Sequence, residues 1–344
     1  MTFAIPFLLL TGALQTQTAP MVGETAPLLR VGTWLKGTPI PQFEKGKVYL
    51  IDIWATWCGP CIGGFPHLSE LQDKYGKDGL VIIGLTGPDE YGTTLVKAKE
   101  LLVEKGNIVR YRMAWDEGGR SYKQWMALES DRGWPFAFIV GRDGKVAYIG
   151  HPEGIDTVLP QILDGSFDAA GAAKAYANRL RAREVGAQMN ALVQEKRYDE
   201  ASKKFAELAE LDKEASFEYA PFQVSILYNI PRREEAFKFA IEFAKGNVQE
   251  ARGAVHQIAT YLSDPKRAGD PDAANAAAHV ARKYVDAFPA QPESYALMAR
   301  TSAAKHDFKH AISQQQRAIE LSTPDQKEAA QQLLDEYKQK ADIN

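Results

Sequence analysis

Residues Val48 to Cys61 read VYLIDIWATWCGPC. The first seven, Val48 to Trp54, are apolar, β-branched or aromatic apart from Asp52, the pattern of a strand buried on both faces. Cys58 and Cys61 follow, bracketing Gly59 and Pro60, and the run LSELQDKYG (Leu68–Gly76) reads as part of the helix that the cysteine pair opens. Working outward, LVIIGLT (Leu80–Thr86) is a second buried strand, TLVKAKELLVEKG (Thr94–Gly106) a second helix and IVRYRMAW (Ile108–Trp115) a third strand. The helix-like SYKQWMALE (Ser121–Glu129) precedes Gly133-Trp134-Pro135. FAFIV (Phe136–Val140) and KVAYIG (Lys145–Gly150) then read as a hairpin turned at Asp143-Gly144. Strands alternating with helices and closing on a hairpin predict an α/β domain over residues 22–165, a central mixed sheet flanked by helices.

The chain has 344 residues, which predicts more than one domain. Its formal net charge of -3 gives neither a basic excess for nucleic acid nor an acidic tail. With 2 cysteines in all, it is not a disulfide-stapled scaffold. Spacing alone leaves three readings of the pair: a structural disulfide, half of a zinc site, or a redox couple. A closed zinc site wants four ligands, and no second cysteine pair exists to complete one. No third cysteine can act as an internal relay, so an exchange partner must be another molecule or a second copy. No cofactor or metal site is called for. Among His256, His279, His306 and His310, only His306 and His310 lie one turn apart, and no acid or cysteine completes a ligand set.

At the N-terminus, FAIPFLLLTGAL (Phe3–Leu14) has the length of a signal-peptide core and is short for a bilayer span. Residues 1–19 are therefore expected to be a signal peptide, although the stretch lacks a basic lead-in and a small-residue cleavage site. The expectation is an exported, periplasmic protein, with a cytoplasmic one as the alternative.

The buried strand, Trp57, a CGPC segment opening a helix, a later Trp-Pro and a terminal hairpin together resemble the thioredoxin superfamily. The helix and strand between Gly87 and Trp134 resemble its TlpA/ResA-like branch, whose members are usually exported and membrane-tethered or periplasmic. The resemblance implies a thiol–disulfide oxidoreductase. Cys58 would be the nucleophile, at a helix N-terminus where unpaired N–H groups and the dipole favour the thiolate. In thioredoxin the first cysteine has a pKa of about 7 against about 8.5 for a free thiol, which is roughly 2 kcal/mol of differential stabilisation. Cys61, one turn deeper, would resolve the mixed disulfide.

Asp52 occupies the position of a buried family aspartate behind the second cysteine. It would exchange the Cys61 proton, burial having raised its pKa. Pro135 matches the cis-proline of the loop that crosses near the first cysteine. Trp134 before it would offer backbone groups to an extended substrate, and its bulk reads either as an apolar rim or as a core aromatic. Gly59 and Pro60 set the redox bias of the loop, towards its reducing end, and Trp57 covers the site. Pro66 matches the family's helix-kinking proline. Gly150 matches a glycine that permits close backbone approach. One departure stands out: some ResA-type members carry a glutamate where this chain has Gly64, and Gly63 and Gly64 weaken the helix by up to about 1 kcal/mol each.

Beyond residue 166 glycine becomes rare and no buried strand is evident. The run from Asp168 to Lys196 reads as helix, either continuous or broken. Tyr198–Leu208 (YDEASKKFAEL) resembles the second helix of a tetratricopeptide repeat. Arg233–Phe237 with Ala240 repeats it weakly, and Phe308–Ile312 with Ala318, Ile319 and Leu321 repeats it best. Gln315 stands where an aromatic is usual. Residues 166–344 are thus expected to be an all-α helical-repeat domain anchored on Ala201, Ala236 and Ala311, with an ordinary helical bundle as the alternative.

The functional expectation is an enzyme that exchanges disulfides with client proteins and with an upstream thiol–disulfide partner, the helical domain docking or selecting the client. The alternatives are a binding or assembly scaffold whose redox domain is secondary, and a thiol peroxidase.

Overall fold

The computed structural model describes residues 19–129 and 133–343. All of the expected signal peptide except Ala19 lies outside the described residues. Among them, no helix is long and apolar enough to cross a membrane. The chain forms two compact units, one ending at Ala177 and one beginning at Asn178.

The first unit is built on a six-stranded mixed sheet. Its strands are β1 (Thr33–Lys36), β2 (Val48–Ile53), β3 (Leu80–Thr86), β4 (Arg112–Trp115), β5 (Phe136–Val140) and β6 (Val146–Gly150), ordered β1-β4-β3-β2-β5-β6. β2, β3 and β4 run parallel, and β1, β5 and β6 pair antiparallel at the two sides. The helices are α1 (Gly59–Tyr75), α2 (Leu95–Lys105), α3 (Arg120–Trp125) and α4 (Ile155–Asp164). Parallel neighbours need a crossover between them, and α1 and α2 supply it. β2 and β3 are buried at every residue because both faces of the sheet are covered. One face packs Val48, Leu50 and Trp54 under Cys61, Phe65 and Leu68 of α1. On the other, Phe43 and Trp125 of α3 meet Tyr49 and Phe138.

Two strands differ from the sequence reading, and the closing helix α4 has no counterpart in it. The short edge strand β1 was not anticipated: its four residues, TWLK, are all half-buried and carry no clean alternation. The third strand starts at Arg112 rather than Ile108, because Gly106–Ile108 form a turn of 3₁₀ helix whose Ile108 carbonyl accepts the Ser69 hydroxyl at 2.6 Å.

The second unit is all helical. α5 (Ala169–Gln194) is one continuous helix, begun in the first unit. It is followed by α6 (Tyr198–Leu211), α7 (Lys213–Asn229), α8 (Arg233–Asn247) and α9 (Arg252–Leu262). α10 (Pro271–Ala287), α11 (Pro292–Ala304), α12 (Phe308–Leu321) and α13 (Lys327–Ile343) complete it. Gly186 does not break α5. A Cβ there would fall 2.2 Å from the Tyr219 hydroxyl, so the glycine admits α7. Each helix from α6 to α13 packs on a neighbour in sequence, and α7, α9 and α11 also pack in succession, as do α8 and α10. This is the near-neighbour stacking of a helical repeat. Ala201, Ala236 and Ala311 are fully buried at the helix crossings. Gln315, in the place of an aromatic, is buried and donates its amide to the Ala330 carbonyl of α13 at 2.9 Å.

Candidate redox site

The parallel strands β2 and β3 end side by side, and ligands of such sheets gather beyond the carboxyl ends of their strands. Both loops of the site lie there. β2 leads through Trp54–Trp57 into Cys58, which caps α1 in an extended conformation, with Pro60 in the first turn. Proline suits that turn because its missing N–H would have had no partner in the helix. The Cys61 N–H donates to the Cys58 sulfur at 3.2 Å. Cys58 and Cys61 form a disulfide with a Cα separation of 5.3 Å, and each residue is only 3% exposed. Gly59 and Pro60 between them are exposed, so the accessible lip of the site is the dipeptide itself. Pro66 lies inside α1, and nothing lies within 4 Å of a Cβ built on Gly63 or Gly64.

Asp52 points to the α1 face, since it alternates with Leu50 and Trp54, which pack there. Its register partners are Gly84 on β3 and Ala137 on β5, the two smallest side chains such neighbours can offer. The residue is 2% exposed, and its Oδ2 has no hydrogen-bond partner among the described residues. Burial pushes its carboxyl up to about 7. The Tyr111 hydroxyl and Trp54 Nε1 are likewise buried without a partner. Burial first, then the Asp52 charge, raises the Tyr111 phenol well above its ordinary value. Gly84 is required by packing: a Cβ there would fall 2.3 Å from Met113 Sδ and 3.1 Å from Trp54 Nε1.

The Trp134–Pro135 bond is cis. Trp134 is half-buried, its ring stacked on Tyr122 at 5.4 Å and edge-on to Trp57 at 5.7 Å. Trp57 is 42% exposed and also meets the ring of Tyr91 at 5.0 Å. Its indole N–H donates to Asp89 Oδ2 at 2.8 Å. Asp89 Oδ1 accepts the N–H groups of Tyr91 and Thr93 at 3.0 and 2.9 Å, and the Thr93 hydroxyl takes the Thr56 N–H at 3.3 Å. Partial burial opposes the charge on Asp89, but bonds from Thr93, Trp57 and Tyr91 outweigh it and hold the carboxyl below its ordinary value. The loop after β3 is thereby pinned to the residues that lead into Cys58. A cleft of about 350 Å³ opens beside Trp57, with Tyr91, Lys97 and Glu100 on its walls.

Asp89, Tyr91, Thr93, Tyr122 and Gly84 escaped the sequence reading. A loop carrying Asp89 and Thr93 at the carboxyl end of a buried parallel strand was the available signal for the first three. Gly150 serves differently from the expectation. A Cβ on it would fall 2.7 Å from the Tyr148 hydroxyl, so it accommodates a side chain rather than a second backbone.

A mixed sheet carrying a buried Cys-X-X-Cys disulfide at a helix N-terminus defines a redox-active thiol–disulfide oxidoreductase. Residues 22–149 match a family model described as the AhpC/TSA family. Protein FixW of Rhizobium leguminosarum is 28% identical over 153 residues, 44% of this chain and 69% of that protein. Thiol-disulfide oxidoreductase ResA of Bacillus cereus is 31% identical over 144 residues, 42% of this chain and 77% of that protein. A crystal structure of a thiol:disulfide interchange protein of the thioredoxin family from Chlorobium tepidum is 20% identical, covers 42% of this chain and 98% of its own, and has a TM-score of 0.34. The chain belongs, through its first unit, to the thioredoxin superfamily of thiol–disulfide oxidoreductases, as a distant relative of ResA.

Proposed function

We propose that this protein reduces disulfides of exported client proteins as a member of the TlpA/ResA-like branch, its helical unit being a tetratricopeptide-like array that docks the client. The observation that carries the reading is Asp52, a buried carboxyl on the same face as Cys61 with no cation balancing it among the described residues. A scaffold has no use for an uncompensated acid there, whereas a dithiol that must lose a proton from its inner thiol does.

In the reduced form, the Cys58 thiolate attacks one sulfur of the client disulfide and expels the other client sulfur as thiolate. This forms a mixed disulfide. Cys61 passes its proton to the Asp52 carboxylate and attacks Cys58 Sγ. The second client sulfur leaves as thiolate and the Cys58–Cys61 bond forms. Two electrons have gone from the dithiol to the client, and an upstream dithiol returns them. The Cys61 N–H supports negative charge on Cys58 while Cys58 is thiolate. Trp57, Gly59, Pro60, Trp134 and Pro135 form the surface that the client's extended backbone meets.

The test is disulfide exchange with a model protein disulfide. Cys58→Ser should abolish it. Cys61→Ser should trap a mixed disulfide, seen by mass spectrometry of unreduced samples. Absence of the trapped species would sink the assigned roles. A reduction potential of the pair near -270 mV supports a reductase, and one near -120 mV would make the protein an oxidant of its clients. Oxidation of Cys58 by peroxide faster than by disulfides would favour a thiol peroxidase instead.

A further inference from the structure

The second unit holds a cavity of about 380 Å³, at the small end of the range for small-molecule sites, about 300–1,000 Å³. It lies among the end of α9, the turn after it, α10, α11, the start of α12 and α13. Leu262, Phe308, Leu333 and Tyr337 supply apolar walls, and Ala274, Ala303 and Ala304 leave the space between them. Leu333, 41% exposed, is part of the lining.

Among the described charged groups on its wall, Arg300 has its terminal nitrogens unused. Arg300 on α11 donates its Nε to Ser263 Oγ at 3.3 Å, and Ser263 in turn donates to the Ala259 carbonyl at 2.8 Å. The two terminal nitrogens of Arg300 make no hydrogen bond or ion pair with another described residue. A guanidinium held at its root with its outer fork unused is the geometry that takes a planar carboxylate through two parallel bonds. Arg267, also on the wall, is tied down: its Nη1 donates to the Tyr261 carbonyl at 2.9 Å and its guanidinium lies 3.6 Å over that ring. The lining carries the cations Arg267, Arg300 and Lys340 against the acids Asp264 and Glu336. Asp264 and Glu336 on the same wall would repel a doubly charged phosphate more strongly than a single carboxylate held by Arg300.

We propose that this cavity binds an apolar ligand ending in a single carboxylate. Its chain lies against Leu262, Phe308, Leu333 and Tyr337, and its carboxylate sits in the fork of Arg300. The inference stands apart from the redox reading, since it concerns neither cysteine.

The full chain is titrated calorimetrically with two matched pairs, decanoate against decanol and N-acetyl-Leu-Leu against its C-terminal amide. At least one acid should bind with a stoichiometry of one and at least about tenfold more tightly than its neutral partner. The acid that binds tells a free alkyl carboxylate from a peptide C-terminus. Arg300→Gln should erase the preference for the acid. Arg300→Lys, which keeps the charge but loses the fork, should retain only part of it. Ala303→Leu, which fills the space, should weaken acid and neutral ligand together. Equal binding of acid and neutral forms, binding unchanged by Arg300→Gln, or no binding of either acid at millimolar concentration would overturn the proposal.

Discussion

Replacing Asp52 by asparagine should stabilise the oxidised protein, and by an amount that depends on pH. Below the ordinary carboxylate range Asp52 is protonated in both folded and unfolded chains and costs nothing. As pH rises, the unfolded chain gives up its proton near 3.8, while the folded chain holds it to about 7. Stability therefore falls across that window, and the loss is complete only above the folded value. Carrying the carboxyl from 3.8 to about 7 is worth about 4 kcal/mol in full, of which about 3 kcal/mol accrues between pH 4.5 and pH 8. The assay is denaturant unfolding followed by tryptophan fluorescence. All 6 tryptophans (Trp34, Trp54, Trp57, Trp115, Trp125 and Trp134) lie in the first unit, so the signal reports that unit alone. The gain from Asp52→Asn should be about 3 kcal/mol larger at pH 8 than at pH 4.5. Differences in packing or hydrogen bonding between the two side chains cancel in that comparison, because they do not depend on pH. A gain of the same size at both pH values would refute the claim that Asp52 is buried without compensation.

Gly84→Ala should cost about 1–3 kcal/mol through overlap with Met113, and adding Met113→Ala should restore part of it, both read from the same unfolding curves. Gly64→Ala should stabilise by about 0.5–1 kcal/mol, since α1 has open space there; a loss of stability would show that the glycine is structural. Asp89→Ala should lower stability by about 1 kcal/mol, because the group is only partly buried, yet speed amide exchange at Tyr91 and Thr93 markedly. Unchanged exchange there would mean that other contacts hold the loop.

The parts of this protein legible from its sequence are those that short-range periodicity encodes. Leu80–Thr86 and Phe136–Val140 were read residue for residue, because strands buried on both faces have no polar register to blur. β1 escaped because a short edge strand has half-buried residues and its partner, β4, lies nearly eighty positions away. The cysteine pair and Asp52 stand in one contiguous segment and were found together. The Asp89–Trp57 bond spans 32 positions, and Gly84 owes its identity to Met113 on another strand. Neither pairing leaves a local pattern. The cavity at Arg300 is invisible for the same reason: alanines on α10 and α11 read as helix formers, and only stacking of the helices turns them into walls.

Packing alone does not call for an acid at position 52. Its row across the sheet runs Met113, Gly84, Asp52, Ala137, Gly150, with a small residue on each side of the carboxyl. An apolar side chain would fill that row at no electrostatic cost, and asparagine would fit it nearly unchanged. The fold instead carries a group that costs it several kcal/mol at neutral pH and whose Oδ2 has no hydrogen-bond partner among the described residues. A carboxyl in the usual range would be a poor acceptor for a thiol proton, and one far above neutrality would never be free to accept it. At about 7 it is poised to do both. Under the proposed exchange, the energy that burial costs the fold is the energy that raises the carboxyl into the range where it can take the Cys61 proton. For this reason the stabilised Asp52→Asn protein should be slower in the second half of the exchange, the attack by Cys61, while its first step at Cys58 proceeds at the wild-type rate.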